Sequence, residues 1–306
     1  MSKHVAVLMG GWNSEREVSL VSGRECADAL ESEGYRVTRI DVDRDIAQVL
    51  GGLPEQPDVV FNALHGRYGE DGCIQGLLEI MGLPYTHSGP MASALAMNKA
   101  AAKRLFFGVG IRCPQGKIAH GDQAGQPSPV ERPFVVKPNS EGSSVGVRIV
   151  GQNDNDDRLI EDDFKYGDDV LVESYIAGRE LSIAVMGGKP LAVTEIHTPA
   201  GFYDYSNKYT EGGSHHVIPA PIDAGIYQEA LEMALRAHEV LDCRGVTRAD
   251  FRYDDTEGEP GLLYMLEINT QPGMTPMSLV PEQAAHVGYP FGKLVAWMVE
   301  EARCDA

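Results

Sequence analysis

Residues Arg248–Gly273 read RADFRYDDTEGEPGLLYMLEINTQPG. Two runs rich in β-branched and aromatic residues, GVTRADFRY (245–253) and LLYMLEI (262–268), flank an acidic segment with two glycines and a proline (254–261). That pattern predicts a hairpin. Glu267 and Asn269 are two apart and share one face of an extended chain. A turn at Glu257–Pro260 puts Asp250 opposite Glu267 on that face, where cross-strand Cβ atoms lie about 5 Å apart. Three oxygen-bearing side chains so placed suit a hard cation such as magnesium. Arg248 shares the face of Asp250 and adds a guanidinium suited to phosphate oxygens. A solvated strand edge with scattered charges explains the same residues, and this stretch alone leaves both explanations open.

Composition narrows the classes. The chain has 306 residues, enough for one large domain or two to three small ones. A net charge of −19 argues against a nucleic-acid partner, which calls for a basic face. Anionic substrates stay open, because a site can be locally basic in an acidic protein. The five cysteines are odd in number and scattered, without a C-x-x-C pair, which suits reduced thiols rather than disulfides or zinc. The run VAVLMG (5–10) is too short for a signal peptide, and no apolar run approaches the about 20 residues of a membrane span. The expected compartment is the cytoplasm, with no membrane partner.

Upstream of the hairpin, HVAVLMGG (4–11), a helical stretch from Ser14, and a second strand after Gly34 form the opening of a doubly wound sheet. Ser14 is a candidate N-cap and Glu15 a dipole complement in the first turn. Glu15 could also face a ligand at the carboxyl end of the sheet, as could His65 after the third strand. The glycines after the first strand do not make G-x-G-x-x-G, which sets a Rossmann cofactor aside. SALAMNKAAAKRLFFG (93–108) reads as one helix, and 114–132 reads as loop. Strand PFVVK (133–137) ends in Lys137 and runs into PNSEGSSVG (138–146), then a second strand. Glycine and serine there let backbone N–H groups approach phosphate oxygens. No G-K-[ST] occurs, so this is a β-hairpin flap and not a Walker loop. Glu173 and the backbone of Ser174–Ile176 could receive an adenine, and Glu180 ribose hydroxyls. The long polar-aromatic stretch 197–223 suits a lid.

Taken together, MGGWNSEREVSL (9–20), ALHGRYGEDG (63–72), SALAMNK (93–99), VVKPNSEGSSVGV (135–147), FYDYSNKY (202–209), RADF (248–251) and LEINTQPGMTPMSLVP (266–281) resemble the D-alanine–D-alanine ligases, a family of ATP-grasp enzymes. The resemblance covers essentially the whole chain, and its last segment is the most specific. It implies an α/β fold, α+β in the ATP-binding part: an ATP-grasp fold preceded by a doubly wound parallel-sheet domain. The division expected is 1–96, 97–182 and 183–306. It implies ATP-dependent joining of two D-alanines through an acyl phosphate, for peptidoglycan precursors, by a homodimer.

By the same resemblance, Asp250, Glu267 and Asn269 match metal ligands for two Mg2+ ions, with Mn2+ able to substitute. Lys99, Lys137 and Ser144 match phosphate-binding positions, and Glu173, Ser174, Ile176 and Glu180 match adenosine-binding ones. Glu15, Ser143 and Tyr209 would hold the first substrate's ammonium and tie the lid down, with His65 nearby. Arg248 and the Gly273 amide would stabilise the oxyanion. Lys208, Ser278 and Leu279 would bind the second carboxylate. Three positions depart from the family pattern: Asn98 stands where Asp is usual, Ser174 where Lys is common, and Trp12 where small residues are. The nearest alternatives are a ligase of the same family using D-lactate or D-serine, another ATP-grasp ligase, and a nucleotide-binding protein without catalysis. The Lys208–Tyr209 pair favours an amine acceptor.

Overall fold

The computed structural model describes residues 2–198 and 213–305. Strand β1 (His4–Gly10) is buried along its whole length and lies between β2 (Arg36–Val42) and β3 (Val59–Asn62) in a parallel sheet of order β2-β1-β3. A parallel strand covered on both faces reads as a continuous apolar run, which explains VAVLM. Val5, Val7 and Met9 pack on α1 (Arg16–Ser32) and on α8 (Phe291–Glu300) near the end of the chain. Ala6 and Leu8 pack on α2 (Ile46–Gly51) and α3 (Cys73–Met81). The loops after β1 and β3 leave the carboxyl edge of this sheet side by side. Asn13 ties them together: its amide donates to the His65 and Arg67 carbonyls at 2.6 and 2.9 Å, and its Oδ1 accepts from Glu15 N at 2.8 Å. Ser14 is therefore not the cap of α1; Glu15 takes the N-cap position, with no side-chain cap bond.

The helix expected over 93–108 is two helices, α4 (Pro90–Met97) and α5 (Lys99–Gly108). Asn98 between them is extended, and its Oδ1 caps α5 by accepting from Ala101 N at 3.0 Å. The segment read as loop contains an edge strand, β4 (Gly116–His120). It completes an antiparallel sheet with β5 (Phe134–Pro138), β6 (Arg148–Val150) and β7 (Asp169–Ser174), in the order β4-β7-β5-β6. Residues 139–147 connect β5 to β6 as the expected flap.

A third sheet holds β8 (Arg179–Met186), β9 (Lys189–His197), β10 (His215–Val217), β11 (Val246–Asp254) and β12 (Leu262–Asn269), in the antiparallel order β10-β9-β8-β11-β12. The boundary expected at 182/183 falls inside β8. The change of sheet comes at the turn before it, where Gly178 has φ +86 and an added Cβ would collide with the Tyr253 carbonyl. Ala249, Phe251 and Tyr253 of β11 face α6 (Ala224–Val240) in the main core, and Arg248, Asp250 and Arg252 face the opposite side. Helix α7 (Leu279–His286) follows the turn after β12, which holds Pro272, Gly273 and Pro276. Asp250 pairs with Glu267, as expected, although the strands turn about Gly258, with Asp254 opposite Leu262. A bulge between those pairs supplies the missing residue: Phe251 faces Met265, so Leu266 is extra.

Replacing Asn98 by Ala removes the α5 cap and is expected to lower unfolding stability by about 1 kcal/mol, with Asn98→Asp restoring it. Chemical denaturation measures this. Equal stability of Asn98→Ala and Asn98→Asp would contradict the capping role.

Candidate active site

Two clefts open where the three sheets meet. The first lies between the flap sheet and the β8–β12 sheet. Its floor is a buried ion cluster. The Glu173 carboxylate accepts from Lys137 Nζ at 2.5 Å and, on its other oxygen, from Lys103 Nζ. Burial alone would raise this carboxyl, but the two ammoniums overcome it and hold it below its ordinary value. Burial lowers Lys103, and the charge of Lys137 adds to that. Ser174, Ile176 and Glu180 line the same cleft beside Glu173, and Ser144 faces it from the flap. Arg252 fixes this wall: it donates to the carbonyls of Ile176 at 3.2 Å and Gly178 at 2.6 Å, and lies 3.5 Å from Glu180.

Lys103 and Arg252 were absent from the expected set, yet the sequence carried a signal for each. Lys103 is four residues beyond Lys99 on one helix face, and Arg252 is two beyond Asp250 on one strand face.

The second cleft lies between the parallel sheet, the flap and the turn after β12. Glu15 and His65 come from the loops of the parallel sheet, Ser143 from the flap, and Arg248 and Asn269 from the hairpin. Gly273, Ser278 and Leu279 close the far side. A Cβ at Gly273 would sit 3.0 Å from Ser278 Oγ, so glycine lets the turn fold against that hydroxyl. Glu267 lines both clefts. Every described residue of the expected set faces one cleft or the other; Lys208 and Tyr209 lie outside the described residues.

The flap reaches across to the parallel sheet. Ser143 and Ser144 both have positive φ, +50 and +59, conformations that cost non-glycine residues about 1 kcal/mol or more and need outside support. The Ser143 hydroxyl finds it by donating to Glu15, which is 4% exposed. Lys99 Nζ donates to the Glu141 carbonyl of the flap at 2.6 Å and lies 3.2 Å from Glu267. Trp12 is not on this cleft. Its ring lies tilted against Tyr68 with centroids 5.3 Å apart, under the Arg44 guanidinium, and lines a small cavity behind His65.

On the hairpin, Arg248 grips Asp250 with Nε at 2.9 Å and Nη2 at 2.8 Å, and the Ser182 hydroxyl donates to the same carboxylate at 2.7 Å. Asn269 Oδ1 accepts from Gln271 N at 2.8 Å. Among the described residues, no three His, Cys, Asp or Glu side chains gather as a metal-binding group. What the hairpin offers is two carboxylates and an amide oxygen on one face. This donor set suits a hard cation that brings further oxygen ligands with it. Behind the hairpin, Asn62 Nδ2 donates to Gln271 Oε1 at 2.6 Å, so a buried amide pair locks β3 to the turn after β12.

The chain resembles known proteins along its length. The family model described as D-ala D-ala ligase C-terminus matches residues 123–300, and the one described as D-ala D-ala ligase N-terminus matches 48–88. A D-alanine–D-alanine ligase of Parvibaculum lavamentivorans is 58% identical over 307 residues, covering 99% of each chain. The crystal structure of D-alanine–D-alanine ligase from Bacillus anthracis complexed with ATP superposes with TM-score 0.81 at 30% identity, over 98% of this chain and 97% of that one. The VanG D-Ala:D-Ser ligase of Enterococcus faecalis gives TM-score 0.81 at 27% identity, over 98% of this chain and 99% of that one. The expected ATP-grasp architecture therefore holds.

Burial pushes the His65 imidazole down to about 4, and the Arg248 charge adds to this; its Nε2 lies 3.1 Å from the Ser22 hydroxyl. Burial also takes His87 down to about 3 and His238 to about 4. Unfolded imidazoles take up protons near pH 6.5 while these wait until about 4, so the unfolded state binds more protons between those values. Stability is expected to fall as pH drops through that window. In imidazole NMR spectra at about pH 5.5, these three rings should still give neutral-form shifts. Protonated-form shifts there would contradict the burial account.

Proposed function

We propose a division of labour between the two clefts of this chain, which belongs to the D-alanine–D-alanine ligase family. The enzyme joins two D-alanines to D-alanyl-D-alanine, with ATP converted to ADP and phosphate, for peptidoglycan precursors. A carboxylate is a poor electrophile, so the ATP γ-phosphoryl group first passes to a carboxylate oxygen of the first D-alanine and ADP leaves. The amine of the second D-alanine then attacks the acyl phosphate carbonyl. The carbon–nitrogen bond forms, the carbon–oxygen bond to phosphate breaks, and phosphate departs. Both steps gather negative charge, which fixed cations and donors must offset.

In this reading the first cleft holds ATP. Glu173, with the Ser174–Ile176 backbone, takes the adenine and Glu180 the ribose; Lys99, Lys137, Ser144 and the flap amides take the phosphates. Asp250, Glu267 and Asn269 would hold magnesium, two ions with manganese able to substitute; bound there, it neutralises phosphate charge. The second cleft holds the D-alanines. Glu15 takes the first ammonium, with His65 beside it, and Ser143 and Tyr209 join flap and lid to it. Arg248 and the Gly273 amide face the developing oxyanion. Lys208, Ser278 and the Leu279 amide take the second carboxylate. A homodimer in the cytoplasm completes the reading, and no helix among the described residues is long and apolar enough to cross a membrane. The observation that carries it is Glu267: it borders both clefts, where a γ-phosphoryl group in one would meet a carboxylate in the other.

Glu267→Gln is expected to cut turnover by a factor on the order of 10² to 10³, with denaturation unchanged. Near-normal activity in magnesium would sink the assignment. Lys103→Met leaves Glu173 to Lys137 alone, which binds that lysine more tightly and makes it less available to phosphate. The KM for ATP should rise roughly tenfold, equivalent to about 1.4 kcal/mol, with the D-alanine KM values unchanged; an unaltered ATP KM would contradict this. Offered D-alanine together with D-serine or D-lactate, the enzyme should form mainly D-alanyl-D-alanine. A predominant mixed product on mass spectrometry would reassign the acceptor.

A further inference from the structure

Glu70 has no part in the roles above, yet it lies in the second cleft beside Glu15. It sits in the loop after β3 and is 6% exposed. Its Oε1 accepts from Gly66 N at 3.0 Å, while its Oε2 is buried and meets no donor among the described residues. Glu15 and Glu70 converge on one spot under the flap: a Cβ built on Gly142 would lie 3.2 Å from Glu15 Oε2 and 3.4 Å from Glu70 Oε1. Burial first, and then the charge of Glu15, push the Glu70 carboxyl well above its usual range, against the opposing charges of Arg248 and Lys99. A buried carboxylate oxygen without a donor is costly to maintain, and a cation arriving in the cleft removes that cost.

We propose that Glu70 is a substrate-binding residue that, together with Glu15, receives the ammonium of the first D-alanine. An ammonium carries three N–H donors, enough for one to Glu15 and one to the vacant Glu70 oxygen with one left over. The pair makes the first position selective for an amino acid over a hydroxy acid. A hydroxyl has one donor and no charge to set against two carboxylates. The proposal rests on the reading that Glu15 takes this ammonium.

Initial rates measured over a wide D-alanine range separate the KM values of the two substrate positions. Glu70→Gln keeps the shape of the side chain and its acceptor for Gly66 N but removes the charge. It is expected to raise the first D-alanine KM about tenfold or more, with kcat falling less and the ATP KM unchanged. Glu70→Asp should recover part of the loss. Glu15→Gln is run in parallel. If Glu15→Gln raises the first KM and Glu70→Gln does not, the proposal falls and the reading of Glu15 stands. If neither raises it, the ammonium lies elsewhere and both fall. If Glu70→Gln shifts the KM values for ATP and both D-alanines alike, with Glu70→Asp no better, Glu70 is structural and the proposal is overturned.

Discussion

The site depends on how β11 pairs with β12. From Asp254 opposite Leu262 to Phe251 opposite Met265, the register runs evenly. Continued unbroken, it would set Asp250 against Leu266 and turn Glu267 to the apolar face beside Ala249, where a carboxylate would have to be buried among the residues packed on α6. The extra residue at Leu266 flips the phase. Met265 and Ile268 both stay in the core, and Glu267 emerges opposite Asp250 on the cleft side. One inserted residue thus reconciles a continuous core with a row of oxygen-bearing side chains.

Around that row, charge is arranged for exchange. The protein carries a net charge of −19, yet cations crowd the clefts. Lys137 and Lys103 share Glu173, Lys99 leans on Glu267, and Arg248 grips Asp250. These pairs offset the cost of burying the cations and hold them beside one another. In the proposed reading, phosphate entering the first cleft would take over partners that carboxylates now hold, so these cations need not be gathered from solvent. The Ser143–Glu15 bond spans the gap between flap and parallel sheet and ties the flap to the loops that line the second cleft.

Much of this could be read from the residues, because the chemistry is concentrated in contiguous motifs. The hairpin, the serine-glycine flap and the strand ending in Lys137 each announce themselves locally. What could not be read depended on long-range or compensating geometry. The expected turn at Glu257–Pro260 gave the right Asp250–Glu267 pairing from a centre half a residue away from the observed one, and only the bulge reconciles the two. The alanine-rich run hid the break at Asn98, since alanine favours helix on either side of it. β4 is a five-residue edge strand opened by a glycine, too short to stand out from its loop. Lys103 looked like a surface lysine because its partner, Glu173, is 70 residues away. Glu70 stood inside a quoted motif, but only its burial and its unpartnered oxygen distinguish it from the acid that follows it.

In the proposed reading a phosphoryl group crosses from nucleotide to the carboxylate of the first D-alanine, where the two clefts meet at Glu267. The most direct test of this crossing uses D-alanine labelled with heavy oxygen in the carboxyl group and follows the label by mass spectrometry of the released phosphate. Transfer through an acyl phosphate predicts one labelled oxygen in each phosphate formed along with a dipeptide. Released phosphate without label, alongside normal dipeptide formation, would contradict the account.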